Sequence, residues 1–144
     1  MKLKRILLIA FLLGVLACTT LLKQASNPVI DVDGWYTSKE DVSLYIDTYG
    51  ELPSNYLTKQ EARELGWDSN AGNLWDVAEG MSIGGDVFGN REGLLPKDDD
   101  RIYYECDIDY EGGYRNSKRI VYSNDGLIYY TEDHYESFEE IVYE

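Results

Sequence analysis

The side chains of this chain that could transfer protons are few and lie far apart in the sequence. The single histidine is His134, and one carboxylate, Glu105, lies within a run that alternates in the manner of a β-strand. A carboxylate and an imidazole can act together as a general base and a general acid. By residue type alone, however, His134 is better explained as a surface or loop histidine, and Glu105 as an ordinary charge on a solvated sheet face.

The alternation around Glu105 separates polar from apolar side chains. In the run Ile102–Tyr110, Tyr104 and Cys106 lie on one face and Glu105 lies on the other. Arg119 belongs to the next predicted strand and can share the face of Glu105. A carboxylate and a guanidinium are then neighbours on one face of the sheet, which suits either a functional site or a solvated, charged surface.

Positive charge is scarce in this chain and is unevenly distributed. The 144 residues include 13 Lys and Arg against 27 Asp and Glu, a formal net charge of -14, which argues against non-specific affinity for nucleic acid. Five of the basic residues fall in three short segments: Lys59, Arg91, and the group Arg115, Lys118 and Arg119. This pattern indicates either a cationic patch or a set of surface ion pairs, which contribute little to stability.

The composition describes one globular domain without a metal site of the usual kind. Hydrophobic residues make up 44% and charged residues 28% of the chain, with 3 Pro, which excludes a disordered or multi-span membrane protein. Two Cys and one His are too few for a disulfide framework or a Cys/His zinc site, so we expect no metal. Cys106 alternates with apolar neighbours, which predicts a small buried residue and not a reactive thiol.

Two helices are predicted ahead of the strands. Ser38 is a helix-start residue, the apolar positions Val42 to Tyr49 follow at helical spacing, and Gly50 ends the helix. Thr58 and Glu61 have the spacing of a capping box and start a second, shorter helix that Gly66 closes. Asn73 is the predicted start of a third helix of little more than one turn.

The hydrophobic period changes to that of strands from Ile83 onward. Ser123–Gly126 has the residues of a hairpin turn. Helices segregated from strands predict an α+β fold, with N-terminal helices packed on one face of a twisted antiparallel β-sheet. The four predicted strands that follow Ile83 are Ile102–Tyr110, Arg119–Ser123, Leu127–Thr131 and Phe138–Val142.

The N-terminus has the pattern of a secretory signal. Residues 1–18 combine basic residues with an apolar run that is too short to span a membrane. Val15-Leu16-Ala17-Cys18 resembles a bacterial lipoprotein cleavage box, so we expect a signal peptide over 1–18 with lipidation of Cys18. The alternative is a free secreted protein cut near Ala17. Residues 19–34 are predicted as a flexible tether and 35–144 as the folded domain, which places the protein outside the cell, free or tethered to the membrane.

Several segments resemble one known family in order, from about Trp35 to Tyr143. The family is that of the secreted, guanine-preferring microbial ribonucleases, in its barnase-like branch. The resemblance implies the same α+β fold, with RNA bound across the sheet face that the helices leave open. The segments that carry it are Leu52–Lys59, Leu65–Trp67, Ile83–Gly93, Tyr114–Arg119 and Thr131–Tyr135.

The resemblance also implies the roles of individual residues. It makes Glu105 the general base and His134 the general acid of an endoribonuclease that cleaves single-stranded RNA 3′ of guanosine. The product would be a 2′,3′-cyclic phosphate, then hydrolysed, with no metal or cofactor. Phosphate contacts fall on Lys59, Arg115 and Arg119, and base recognition falls on Phe88, Asn90, Arg91, Glu92 and Tyr135.

The resemblance extends to partners and has two departures. It implies a monomer that a barstar-like acidic protein inhibitor could bind at the cations of the site. Gly89 stands where bacterial relatives have serine, and Tyr114 where they have phenylalanine; the first keeps the backbone amide but loosens the loop. Two rival interpretations remain: a binding module that has lost catalysis, and an active ribonuclease used as a toxin against other cells.

Overall fold

The computed structural model describes residues 29–144, which form helices and a six-stranded sheet. The predicted signal peptide, Cys18 and most of the predicted tether lie outside the described residues. Within 29–144, no helix has the length and apolar character needed to cross a membrane. In chain order the elements are α1 Lys39–Tyr49, β1 Tyr56–Leu57, α2 Lys59–Glu64, α3 Leu74–Val77, β2 Ser82–Phe88, β3 Tyr103–Asp107, β4 Arg119–Ser123, β5 Ile128–Thr131 and β6 Glu139–Glu140.

The strands lie in the sheet in their order along the chain, from β1 to β6. β1 pairs with β2 in parallel, and every later neighbouring pair is antiparallel. A short turn joins β4 to β5, whereas longer loops join β2 to β3 and β3 to β4. The predicted α+β class is confirmed, with the parallel first pair as an addition.

Local hydrogen bonds fix the ends of the two predicted helices. The Asp41 amide donates to the Ser38 hydroxyl at 3.1 Å, and Gly50 ends α1 with a left-handed φ of 71°. At α2 the capping box is complete, since the Glu61 amide donates to Thr58 Oγ1 at 3.2 Å and the Thr58 amide donates to Glu61 Oε1 at 3.0 Å. These contacts confirm both predicted starts.

The predicted short third helix begins directly after Asn73, which confirms the predicted start. The Asn73 side chain accepts from the Asp68 amide at 2.7 Å and donates to the Gly66 carbonyl at 3.1 Å. It makes no capping bond to α3. Asn73 therefore braces the loop before the helix.

One face of the sheet carries the main core. Val42 and Ile46 of α1 pack against Cys106 and Ile120 of the central strands, all of them buried. Cys106 is 1% exposed, and burial raises the pKa of its thiol, so the predicted buried role is confirmed. The helix-packed core therefore leaves Glu105 on the opposite face.

The opposite face is less open than the strand alternation suggested. Tyr103, Val121 and Tyr129 form a second buried cluster there with Leu95, which comes from the loop between β2 and β3. That loop covers one end of the face. Apolar side chains of the strands are thereby buried on both faces of the sheet. Glu105 lies at the edge of the region that the loop between β2 and β3 covers.

Three predicted boundaries are wrong for local reasons. The run Ile102–Tyr110 shortens to Tyr103–Asp107 because Asp109 has a φ of 56°, which ends the strand. Ile102, expected in the core, is 44% exposed. The last strand keeps only Glu139–Glu140 of Phe138–Val142, and β5 begins one residue after Leu127.

Residues 30–32, which lie in the predicted tether of 19–34, pack against α1. Ile30 is buried, and its carbonyl accepts from the Tyr49 hydroxyl. The Val32 carbonyl accepts from the Tyr45 hydroxyl at 2.7 Å. Tyrosines of α1 thus hold this segment against the domain.

Candidate active site

A cleft of about 490 Å³ lies on the sheet face that α1 leaves uncovered, and it collects most of the predicted site. Of the proposed catalytic and base-binding residues, all except Arg115 and Arg119 line it. Its walls are Lys59, Phe88, Asn90, Arg91, Glu92, Glu105, His134 and Tyr135, together with Val87, Gly89, Leu94, Glu136 and Phe138. Residues separated by up to 79 positions in the chain, from Lys59 to Phe138, therefore meet in one place.

Both carboxylate oxygens of Glu105 have partners in the cleft. Lys59 Nζ lies 3.4 Å from Oε1, and the Tyr135 hydroxyl donates to Oε2 at 2.7 Å. The side chain of Glu105 is 13% exposed and that of Lys59 is 34% exposed. The carboxylate is therefore held in a fixed position and still borders the cleft, as a proton acceptor must.

Lys59 reaches Glu105 because of a bulge in the neighbouring strand. The register between β2 and β3 shifts between Gly84 and Asp86, where Gly85 has a φ of 101°. Asp86 then lies opposite Glu105, and its Oδ2 accepts from the Lys59 amide at 3.0 Å. The carboxylate anchors the start of α2 beside the sheet, which places the Lys59 side chain over the cleft.

Asp107 joins the two arginines that the resemblance singled out. Arg115 donates to its two carboxylate oxygens at 2.8 and 2.7 Å, and Arg119 Nε lies 3.0 Å from Oδ1. The Asp107 side chain is 1% exposed. A bidentate pair of this kind fixes the guanidinium plane as well as its position. Asp107 lies two residues after Glu105 and so shares its face of the strand, but its type and position alone predict no role for it.

The two arginines lie beside the cleft and do not line it. Arg119 is 3% exposed, and its terminal nitrogen donates to the carbonyls of Asn116 and Lys118 at 2.7 and 2.8 Å. Burial, followed by the hydrogen bond to Glu105, raises the pKa of Tyr135, while the nearby Arg119 charge lowers it. Arg119 is thus electrostatically close to the site; its contact with a phosphate, like that of Arg115, stays a prediction.

His134 is exposed at the tip of a loop with an unusual backbone. His134 and Tyr135 have φ values of 54° and 73°, a region that non-glycine residues rarely adopt. Asp133 holds the loop in this form: its carboxylate accepts from the Thr131 hydroxyl at 2.8 Å, from the Ser137 amide at 2.9 Å and from the Ser137 hydroxyl. Asp133 was not predicted as a site residue, although it precedes His134 directly.

The predicted base-recognition loop is held by one of its own side chains. Asn90 is 7% exposed; its amide nitrogen donates to the Leu95 carbonyl at 2.9 Å, and its oxygen accepts from the Leu95 amide at 3.1 Å. The Asn90 side chain is therefore occupied by the loop itself, which leaves the backbone and Glu92 to meet a ligand. Phe88 stacks on Tyr135 with ring centroids 5.1 Å apart.

The donor set of the cleft does not suit a metal ion. Within residues 29–144, His, Cys, Asp and Glu form no group of three or more that could hold one. The cleft instead brings the Glu105 carboxylate, the His134 imidazole and the cations Lys59 and Arg91 around an open space, which are the features of a nuclease.

Comparison with known proteins assigns the family. The ribonuclease family profile matches residues 39–142. A ribonuclease of Heyndrickxia coagulans is 53% identical over 102 residues, which cover 71% of this chain and 94% of that protein. The match to a ribonuclease of Bacillus intermedius has the same identity and covers 71% of this chain and 63% of that protein. Guanyl-specific ribonuclease St of Saccharopolyspora erythraea is 46% identical over 55 residues, 38% of this chain and 54% of its own length. The chain therefore belongs to the microbial ribonuclease family.

The Asp107 ion pairs give the first prediction. Asp107→Asn should lower the free energy of unfolding by about 3 kcal/mol or more, because it leaves two guanidinium groups without their buried counter-ion. The matched control is Asp109→Asn, since Asp109 pairs with Lys118 at the surface, where both side chains are 43% exposed. That control should lose less than about 1 kcal/mol. Urea unfolding measures both, and equal losses would contradict the buried role.

The Asp133 network gives a prediction about pH. Hydrogen bonds from the Ser137 hydroxyl, the Ser137 amide and the Thr131 hydroxyl hold the pKa of Asp133 at about 2, below its ordinary 3.8. A carboxyl whose pKa is lowered by folding stabilises the folded state above its unfolded pKa, and this contribution disappears as the pH falls through the folded pKa.

Wild type should therefore be more stable than Asp133→Asn above about pH 4, and the difference should narrow between about pH 4 and pH 2. Urea unfolding at a series of pH values measures it. Glu132→Gln, which removes the preceding exposed carboxylate, controls for net charge. A difference that stays constant over this range would show that the Asp133 hydrogen bonds do not depend on its ionisation.

Proposed function

We propose that this protein is an extracellular endoribonuclease that cleaves single-stranded RNA 3′ of guanosine. The reaction is a metal-independent transphosphorylation to a 2′,3′-cyclic phosphate, followed by hydrolysis. The observation that carries the proposal is the fixed Glu105 carboxylate in the same cleft as His134 and Lys59. Family membership supports the cleavage of RNA, and the site supports the mechanism.

Glu105 is the general base of the first step. RNA carries its own nucleophile, the ribose 2′-hydroxyl, which must lose a proton as its oxygen attacks the adjacent phosphorus. Tyr135 and Lys59 orient the carboxylate through its two oxygens, so no rearrangement of the chain is needed before the proton moves. DNA lacks the 2′-hydroxyl and cannot react in this way.

His134 completes the step as the general acid. The bond from phosphorus to the 5′-oxygen of the next nucleotide breaks, and that oxygen receives a proton from the imidazolium. In the hydrolysis that follows, water takes the place of the leaving nucleotide, so the two groups exchange roles. The exposed position of His134 on a braced loop suits both directions of proton transfer, because the leaving group and water must reach it.

Cations stabilise the charge that grows on the phosphoryl oxygens. Lys59 lies in the cleft itself and is partly exposed, so it can contact a phosphate directly. Asp107 holds Arg115, whose side chain is 22% exposed, and Arg119, and both add positive charge next to the cleft. Fixed cations are effective here because they need not reorganise as the transition state forms.

Guanine recognition is assigned to the loop from Phe88 to Glu92. Guanine offers an acceptor at O6 and donors at N1 and N2, which backbone amides near Arg91 and the carboxylate of Glu92 can meet. Tyr135 and Phe88 supply aromatic surface, but stacking favours every base, so the preference must come from the hydrogen bonds. The name of the relative ribonuclease St, which is guanyl-specific, supports this assignment.

The direct test is cleavage of a guanylyl dinucleotide in excess EDTA. Wild type should form the cyclic phosphate, and Glu105→Ala and His134→Ala should each lower kcat by about 100-fold or more, because each removes one proton transfer. Lys39→Gln, on α1 and away from the cleft, is the control and should leave kcat unchanged. No cleavage by a folded wild-type protein would support the binding-module interpretation instead.

Gly89→Ser tests the recognition loop. A Cβ at Gly89 would lie 3.4 Å from Arg91 Cγ, an ordinary contact, so serine fits and restricts the loop while keeping the amide. We expect a lower KM for the guanylyl dinucleotide and a stronger preference for guanine over adenine. Gly89→Ala separates the effect of the Cβ from that of the hydroxyl. If KM and base preference stay the same, the loop does not recognise the base as proposed.

A further inference from the structure

Two adjoining cavities lie at the carboxyl end of α1, away from the catalytic cleft. Their volumes are about 370 and 220 Å³, and because they share Gly50, Ser123 and Asn124 they form one groove, here called the α1 groove. The first cavity is otherwise lined by Glu51, Leu52, Gly85, Tyr104 and Tyr122, and the second by Ile46, Asp47, Gly126 and Ile128. None of these residues lines the catalytic cleft, so the α1 groove needs an explanation of its own.

The charge along the α1 groove is negative. Glu51 lines the first cavity and Asp47 the second; both are exposed, and neither forms an ion pair within residues 29–144. The last turn of α1 contains no basic residue, so the negative end of the helix dipole adds to the two carboxylates. Among the described residues, no Lys, Arg or His lines either cavity. The α1 groove therefore attracts a cation and repels an anion.

Tyr122 gives an independent indication of a ligand. It is 8% exposed and lines the first cavity, yet its hydroxyl has no hydrogen-bond partner within residues 29–144. Buried polar groups are normally paired. In the same part of the chain, Arg119 Nε is the only side-chain nitrogen or oxygen that is both inaccessible and without a hydrogen bond. The Tyr122 hydroxyl is therefore accessible, and a ligand in the cavity can supply the missing partner.

The rest of the lining is aromatic and aliphatic. The rings of Tyr104 and Tyr122 have their centroids 5.6 Å apart and are tilted by 31°. Leu52 adds apolar surface to the first cavity, and Ile46 and Ile128 add it to the second. The face of a tyrosine ring attracts a cation, and apolar side chains pack against methylene groups. A cation that carries a hydrocarbon chain therefore matches this lining.

A metal ion matches the α1 groove less well. A calcium ion collects roughly six to eight oxygen ligands, whereas the carboxylates here come from Glu51 and Asp47 alone. The Asn124 side chain is already occupied. Its oxygen accepts from the Ile102 amide at 2.9 Å, and its nitrogen donates to the Asp100 carbonyl at 3.0 Å. The cation that fits is therefore an organic one.

We propose that the α1 groove binds an alkyl diamine, with its two ammonium groups at Glu51 and Asp47. One carboxylate lies in each cavity, so two positive charges joined by a hydrocarbon chain match the groove better than one. Burial raises the pKa of Tyr122, so its hydroxyl stays neutral and can accept a hydrogen bond from the ammonium group in the first cavity. The chain of the diamine contacts Tyr104 and Ile128. This site is separate from the catalytic cleft and does not rest on the proposed function.

Putrescine, a straight-chain diamine, is the probe, and isothermal titration calorimetry at constant ionic strength measures its binding. Butylamine has the same chain with one ammonium group, and Mg²⁺ has the same charge without a chain. Each should bind about fivefold more weakly than putrescine or worse, because each lacks one part of the match. In NMR spectra, putrescine should shift the amide signals of Gly50 and Gly126 and leave those of Gly89 and His134, which line the catalytic cleft, in place.

Glu51→Gln and Tyr122→Phe test the two anchors of the first cavity. Each should raise the Kd of putrescine by about two- to fivefold, the effect of one exposed charge contact or one hydrogen bond. Tyr122→Phe should not lower the free energy of unfolding without putrescine, because the hydroxyl has no protein partner to lose. Glu111→Gln is the matched control: it removes the same charge from an exposed position outside the α1 groove and should keep the wild-type Kd.

Three results would overturn the inference. The first is no binding of putrescine, or equal binding of putrescine, butylamine and Mg²⁺, which would be screening of the overall negative charge. The second is an equal loss of affinity in Glu111→Gln and Glu51→Gln. The third is a set of amide shifts in the catalytic cleft and not in the α1 groove. Because none of these measurements uses cleavage of RNA, the proposed function stands or fails separately.

Discussion

The buried ion pairs of Asp107 with Arg115 and Arg119 are the interaction on which the rest of the site depends. Removing a carboxylate and two guanidinium groups from water is unfavourable unless their geometry is good. Here the carboxylate has its partners at 2.7 to 3.0 Å, and one terminal nitrogen of Arg119 also donates to the carbonyls of Asn116 and Lys118. The connection between β3 and β4 is therefore held against the strand that carries Glu105, two residues away.

The sheet performs two tasks that place opposite demands on its faces. One face must be apolar to bury α1, and the other must keep polar groups exposed for chemistry. Alternation along β3 satisfies both, since Cys106 packs against the helix while Glu105 and Asp107 lie opposite. The loop between β2 and β3 covers only the end of the polar face. A cleft remains because the part of this loop that covers the face, around Leu95, does not extend over the recognition loop Phe88–Glu92.

Charge in this protein is organised locally. Most of its surface is acidic, yet Lys59, Arg115 and Arg119 are each paired with a carboxylate of the site. Arg91 and Lys97, beside the recognition loop, carry no such partner among the described residues. An approaching RNA chain would feel the cations of the site only over a short range, because attraction between exposed charges is screened within about 10 Å in salt.

The sequence by itself determined the features that depend on near neighbours: both helix starts, the hairpin turn, the buried Cys106 and the common face of Glu105 and Arg119. These features are determined by hydrogen bonds between residues three or four positions apart and by the alternation of side chains along a strand. A short stretch of sequence therefore contains the information. Its resemblance to known ribonucleases also named eight of the residues that line the cleft. Only the tertiary structure decided the role of Asp107, the occupied side chain of Asn90 and the packing of Ile30 and Val32 against α1. The physical reason is that these features depend on which partners share a buried environment, and such partners are brought together by folding and not by spacing.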